Sequence, residues 1–206
     1  MEYLSLAKAI EHEIVIQKSR FIGLTYLISS EEELSLCLED ARERYPNATH
    51  YCYGAVIGLE GLVQRFSDDG EPSGTAGMPI LQVLLQKGLK NVLVVVVRYF
   101  GGIKLGAGGL VRAYSRTAAE AVNKAGIVRM VLSSQAVLSI NYNLLGSVEH
   151  FLHQPGIDIK EMSYGEKVDI HILTNHDWDA LKGKLIDLCS GNIEIKRLES
   201  VYHNWD

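Results

Sequence analysis

Five glycines fall within nine residues in the stretch Gly101-Gly102-Ile103-Lys104-Leu105-Gly106-Ala107-Gly108-Gly109. Glycine lets main chain approach a ligand closely, and the free N–H groups at the start of a following helix attract anions. Lys104 lies inside the stretch, Arg98 precedes it, and Arg112 and Arg116 follow one helical turn apart. These types at these spacings suit the grip of a phosphate-bearing ligand. No Gly-Lys-Ser/Thr follows at P-loop spacing, and Gly106–Val111 lacks the last glycine of the dinucleotide fingerprint. The competing reading is a tight turn packed under a sheet, with Arg116 spent on Glu120 at i+4.

Charge distribution favours the first reading. Gln86–Met130 carries eight basic residues against one acid, Glu120, although the 206-residue chain has a formal net charge of −5. From Met1 to Leu132 basic and acidic residues balance at 14 each, and from Ser133 onward 6 basic face 11 acidic residues. Local fields of this kind, more than net charge, attract anionic partners. Clustered Lys and Arg give phosphate contacts that are salt-dependent and indifferent to sequence. Tyr99, Phe100 and Tyr114 interleave with the cations and suit base stacking, but Tyr114 shares the apolar stripe of its helix and is expected in the core. The candidate anion- or nucleic-acid-binding set is Arg98, Tyr99, Lys104, Gly106, Gly108, Gly109, Arg112 and Arg116.

Two other clusters carry weaker signals. Asp68, Asp69 and Glu71 offer carboxylates to a hard cation, yet a helix-capping or Arg-pairing role fits such residues before Thr75 better. His50 and Cys52 share a strand face and form half of a metal or Cys–His site; a buried structural pair is the simpler expectation. There is no G-x-S-x-G elbow and no H-E-x-x-H. We therefore expect no catalytic residue and no cofactor.

The elements that must position these residues alternate. Ile14–Gln17 and Phe21–Ile28 read as strands about a Ser19-Arg20 turn. Ser30 and Glu33 form a capping box for a helix that Pro46 stops. His50–Leu59 and Leu62–Phe66 read as a hairpin. A helix is expected from Thr75 through Leu85. Val92–Val97 reads as a strand buried on both faces, and Leu110–Ala125 as a helix closed by Gly126 in αL conformation. The remainder reads as a strand from Ala136, a helix capped by Asn143, a hairpin about Gly165, a helix capped by Asp177 and a strand from Ile193. That order, β-α-β-β-α-β, is ferredoxin-like. The expected domains are 1–132 and 133–206.

Composition is that of a globular α+β protein, 47% apolar and 22% charged. No stretch approaches a membrane span, no signal peptide is read at the start, and three scattered cysteines suit free thiols. The expectation is a cytoplasmic protein.

Three blocks resemble one family. They are Ala48-Thr49-His50-Tyr51-Cys52-Tyr53, Phe66 through Ile80, and Val97-Arg98-Tyr99-Phe100-Gly101-Gly102-Ile103-Lys104-Leu105-Gly106 with Gly108-Gly109-Leu110-Val111-Arg112-Ala113-Tyr114. Together they are similar to the IMPACT family, in its YigZ-like bacterial branch. The resemblance implies an N-terminal ribosomal-protein-S5-domain-2-like α/β sandwich and a C-terminal ferredoxin-like domain, a pair similar to the two C-terminal domains of elongation factor G. Eukaryotic members bind a ribosome-associated activator of the amino-acid-starvation kinase. For this chain the resemblance implies a non-enzymatic, translation-associated regulator with RNA or the ribosome as partner and a translation-factor protein as a second partner class. Two alternatives stay open: an enzyme or sensor for a small phosphorylated ligand or nucleotide at the Gly-rich loop, and an interaction module for an acidic protein.

Overall fold

A computed structural model describes residues 1–205. The chain divides into two compact units: Tyr3–Val128, and Met1–Glu2 together with Arg129 onward. Both are α+β.

The first unit is built on a five-stranded antiparallel sheet. Its strands are β2 (Glu11–Ile16), β3 (Ser19–Leu27), β4 (His50–Ile57), β5 (Val63–Ser67) and β6 (Val92–Tyr99), in the order β2-β3-β6-β4-β5. A short strand, β1 (Glu2–Leu6), precedes them and is invisible in the sequence pattern. The central strand β6 explains the aliphatic run: Val92 through Val97 are all 0% exposed. Alternate residues serve two cores. Val92, Val94 and Val96 pack under α2 (Gly77–Gln86) and α3 (Gly106–Ala125), while Leu93, Val95 and Val97 pack toward α1 (Glu31–Arg44). At Gly54 of β4 an added Cβ would fall 2.5 Å from the Leu81 nitrogen, so α2 lies on the sheet at a distance only glycine permits.

Local chemistry sets the element ends. Ser30 Oγ accepts from the Glu33 N–H at 3.2 Å, as a capping box requires, but the Glu33 carboxylate reaches back to Ser29 rather than to Ser30. The first hairpin turns at Gln17-Lys18, both at positive φ (45° and 64°), one pair earlier than Ser19-Arg20. A two-residue hairpin needs left-handed φ at its two central residues, and Ser19 already pairs with Ile16. Helix α3 begins at Gly106, a turn before the expected Leu110, so Gly106, Gly108 and Gly109 are helical rather than loop. Helix α2 starts at Gly77, past Thr75, whose hydroxyl donates to the Pro72 carbonyl instead. Gly126 has positive φ as expected, but its ψ of 148° is extended rather than αL.

In the second unit β7 (Ile127–Ile140), α4 (Leu145–Leu152), β8 (Ile157–Tyr164), β9 (Val168–Thr174), α5 (Trp178–Leu188) and β10 (Ile193–Arg197) follow in β-α-β-β-α-β order. The antiparallel strand order β10-β7-β9-β8 is ferredoxin-like. One core unites Leu138, Ile140, Ile170 and Ile172 with Val148, Leu152, Leu181 and Leu185. Asp177 caps α5 as expected, accepting from the Ala180 N–H at 2.9 Å. Asn143 does not cap α4: it lies within a 3-10 turn, Tyr142–Leu144, that leads into the helix. A further strand, β11 (Val201–Asn204), returns to pair with Met130–Ser133 of β7.

Candidate functional site

The three sequence blocks that carry the family resemblance meet at one end of the first unit's sheet. Strand alternation places Ser19 and Phe21 of β3, Arg98 of β6, and His50 and Cys52 of β4 toward α2 and α3. The Asp68–Pro72 turn supplies Glu71, and α3 supplies Tyr114.

These groups form a buried network. Arg98 Nη1 donates to Glu71 Oε1 at 2.5 Å, the two side chains being 6% and 4% exposed. Tyr114 donates its hydroxyl to the same oxygen at 2.7 Å, and His50 Nε2 stands 3.8 Å from it. The guanidinium lies over the Phe21 ring at 5.2 Å and the Phe100 ring at 5.4 Å. The Arg98 Nε finds no partner among the described residues. Burial, followed by the neighbouring Cys52, holds the Tyr114 phenol far above its ordinary range, so it stays protonated and donates. Arg98, expected at the surface as an anion contact, is therefore inside and neutralised by a carboxylate. Tyr114 is core as expected, meeting Phe21 edge-on with centroids 5.3 Å apart.

The acidic turn and the His–Cys pair are structural. Asp68 accepts from the N–H groups of Gly74, Ala76 and Gly77 at 2.8–3.0 Å, crowning α2. Burial alone would raise its carboxyl, but those three donors hold it below the usual carboxylate range. Asp69 accepts from the Tyr51 N–H at 2.6 Å. Cys52 is 0% exposed, donates to the Asp68 carbonyl, and burial pushes its thiol up to about 12. Among the described residues no three His, Cys, Asp or Glu side chains converge as metal ligands.

The glycine segment crosses beneath the first hairpin. Gly101 donates its N–H to Ser19 Oγ at 3.1 Å, and an added Cβ there would fall 2.0 Å from the Lys18 carbonyl carbon. Only glycine allows that crossing. Thr49 secures the same bend, accepting from the Phe100 N–H at 3.0 Å through its hydroxyl and donating its own N–H to the Arg98 carbonyl at 2.8 Å. The chain then enters α3 with no side-chain cap on its first N–H groups.

Two openings flank this bend. A cleft of about 390 Å³ has Glu71 and Arg98 at its base, Pro72, Phe100, Leu105 and Leu110 as apolar walls, and Lys104 at its edge. A second hollow of about 360 Å³ lies between Ile16-Gln17 and the α3 residues Gly109, Arg112 and Arg116. Lys104, Arg112 and Arg116 are exposed. Arg116 donates to Glu120 at 2.7 Å, as its i+4 spacing foretold. Neither Lys104 nor Arg112 has a carboxylate within ion-pair distance among the described residues. Tyr99 points to the opposite face of the sheet, by strand alternation, and donates its hydroxyl to the Pro46 carbonyl at 3.1 Å. It is not part of this surface. Of the eight residues proposed from sequence, the three glycines lie in the first turn of α3, Lys104 lines the first opening, and Arg112 and Arg116 line the second.

Residues 17–122 match the Impact N-terminal domain family model, and residues 138–192 match a domain of unknown function, DUF1949. The IMPACT family member YvyE of Bacillus subtilis is 41% identical over 97% of this chain and 93% of its own length. The chain belongs to the IMPACT family. Escherichia coli YigZ, another IMPACT family member, is 34% identical over 89% of this chain and 92% of its own. A solved structure titled as that of a hypothetical protein is 32% identical, with a TM-score of 0.64, covering 96% of this chain and 98% of that one. In this IMPACT family member sequence reasoning gave Glu71 an Arg-pairing role without naming Arg98 as the arginine, and it missed Ser19 and Phe21 as the lining of that pair. Phe21, Glu71 and Arg98 are distant in sequence: the register of β3 against β6 joins Phe21 to Arg98, and the turn after β5 brings Glu71 to them. The polar stretch around Glu71, set beside an arginine at the end of an aliphatic run, was the available signal. Among the described residues, no helix is long and apolar enough to cross a membrane.

Proposed function

We propose that this protein binds RNA, free or within the ribosome, through the exposed cations Lys104, Arg112 and Arg116 around the start of α3, as a non-enzymatic participant in translation. The reading is supported by one observation: Lys104, Arg112 and Arg116 are exposed on the rims of the two openings that flank the glycine bend, and Lys104 and Arg112 have no carboxylate neighbour among the described residues. Such charges gain affinity by displacing counterions from phosphates. The glycines of the first turn keep α3 backbone N–H groups bare beside them. In this reading residues 1–132 carry the interface. The acidic part, 133–206, is a poor RNA face and is free to meet a protein partner.

Binding to single-stranded RNA is expected to weaken steeply as salt rises. Replacing Lys104, Arg112 and Arg116 together with Ala should flatten the plot of log affinity against log salt by about two units, at roughly 0.7 per lost phosphate contact. Absence of binding at low salt, or a slope untouched by the triple change, would sink the proposal. In a pulldown, a complex that survives nuclease points instead to an acidic protein as partner.

A further inference from the structure

The rim explains how phosphates are held, but leaves the adjoining cleft unused. Its composition is unlike that of the rim. Phe100 forms one wall and is 46% exposed, although its ring rests on the buried Arg98 guanidinium. Pro72, Leu105 and Leu110 make the remaining walls apolar. Polar groups are confined to two places. At the base, Glu71 uses Oε1 for both Arg98 and Tyr114, and among the described residues no protein donor reaches its Oε2. At the edge, Lys104 and the uncapped start of α3 offer positive charge and N–H donors.

A slot with an aromatic wall, a carboxylate floor and a cationic edge complements one chemical class. We infer that the cleft receives the unstacked base of a single nucleotide, with the attached phosphate at Lys104 and the first N–H groups of α3. The outer surface of Phe100 stacks on the base and prolongs the series Phe21, Arg98, Phe100. The Glu71 carboxylate accepts from a ring N–H or exocyclic amino group. The cleft volume is within the range that takes small ligands. This subsite rests on the RNA reading of the rim and sharpens it, since phosphate contacts alone do not distinguish a base-bearing strand from a bare sugar-phosphate chain. The base comes either from an RNA strand or from a free mononucleotide, two sources with the same chemistry.

The test uses the full chain, an eight-nucleotide RNA of mixed sequence, the same strand made abasic throughout, and the four nucleoside monophosphates. Phe100→Leu keeps an apolar cover over Arg98 and removes the stacking surface; Phe100→Tyr restores that surface and serves as the rescue. Phe100→Leu should weaken the base-bearing strand about tenfold, from the usual worth of one base–aromatic stack. The abasic strand should bind both forms alike, the salt slope should not move, and Phe100→Tyr should bind as the unsubstituted protein does. If both strands respond to Phe100→Leu equally, or neither responds, the base subsite is wrong while the rim stands. If the unsubstituted protein binds neither strand, the RNA reading fails. The cleft then stands only if a monophosphate raises the melting temperature and Phe100→Leu abolishes that rise, and flat melting curves overturn it as well.

Discussion

Arg98 and Arg112 bracket the same glycine segment, fourteen residues apart, and meet opposite fates. Arg98 leaves the sheet's central strand facing inward, where Glu71, Ser19 and two aromatic rings enclose it. Arg112 stands on the outward side of α3, in water. From sequence both belong to one basic cluster. The structure separates a charge enclosed by the protein from charges left in water. A buried ion pair loses solvation that its attraction barely repays, so it is weak evidence for stability in itself, yet removing one partner is costly. An exposed cation costs almost nothing to remove, and its loss is felt only when an anion arrives.

This contrast can be broken by experiment. The largest effect is expected from Glu71→Ala or Arg98→Ala, each stranding an unpaired buried charge. Each should cost about 3–5 kcal/mol in denaturant unfolding. Exchanging both for apolar residues of similar volume should recover most of the loss. A single substitution with no measurable effect would mean that the pair is not buried in solution. Gly101→Ala comes next: its Cβ would collide with Lys18 backbone rather than with a side chain that can swing away. It should cost about 2–3 kcal/mol, whereas Gly102→Ala, with open space around it but φ of 84°, should cost about 1 kcal/mol.

Asp68→Asn should cost about 1–2 kcal/mol at neutral pH by weakening the cap on α2. Its pH dependence carries a definite sign. The folded-state pKa lies below the ordinary 3.8, so the folded chain favours the carboxylate. The stabilisation is whole above about pH 4 and is lost as pH falls through the depressed value. Urea midpoints of the two forms should therefore converge in acid. A gap that widened instead would contradict the cap. The smallest effect belongs to the rim: Lys104→Ala and Arg112→Ala should each leave stability within about 0.5 kcal/mol. A larger loss would move these residues into the structural class with Arg98.

Much of this was legible in sequence. The valine run announced a doubly buried strand, and the second unit's helix and strand signals gave its ferredoxin-like order. Asp68 and Tyr114 took the structural roles their positions suggested. The errors have physical causes. Charge counting is blind to which side of a strand a residue faces, so Arg98 and Tyr99, adjacent in sequence, were grouped although alternation sends them to opposite faces. Glycine's low helix propensity made Gly106–Gly109 look like loop, but the first turn of a helix asks little of propensity, because its N–H groups have no partners within the helix in any case. Strands β1 and β11 are short, with little alternation of their own, and pairing decides them.

The strand order β2-β3-β6-β4-β5 has a consequence for how the first unit is made. Its two hairpins, β2-β3 and β4-β5, are each local in sequence, and an isolated hairpin is marginal in water. The strand that fits between them is the last of the five to be synthesised. A nascent chain that has not yet delivered Val92–Tyr99 holds two halves of a sheet with nothing to join them. The same residues that then complete the core also bring Arg98 to Glu71, so assembly of the site and closure of the sheet are one event.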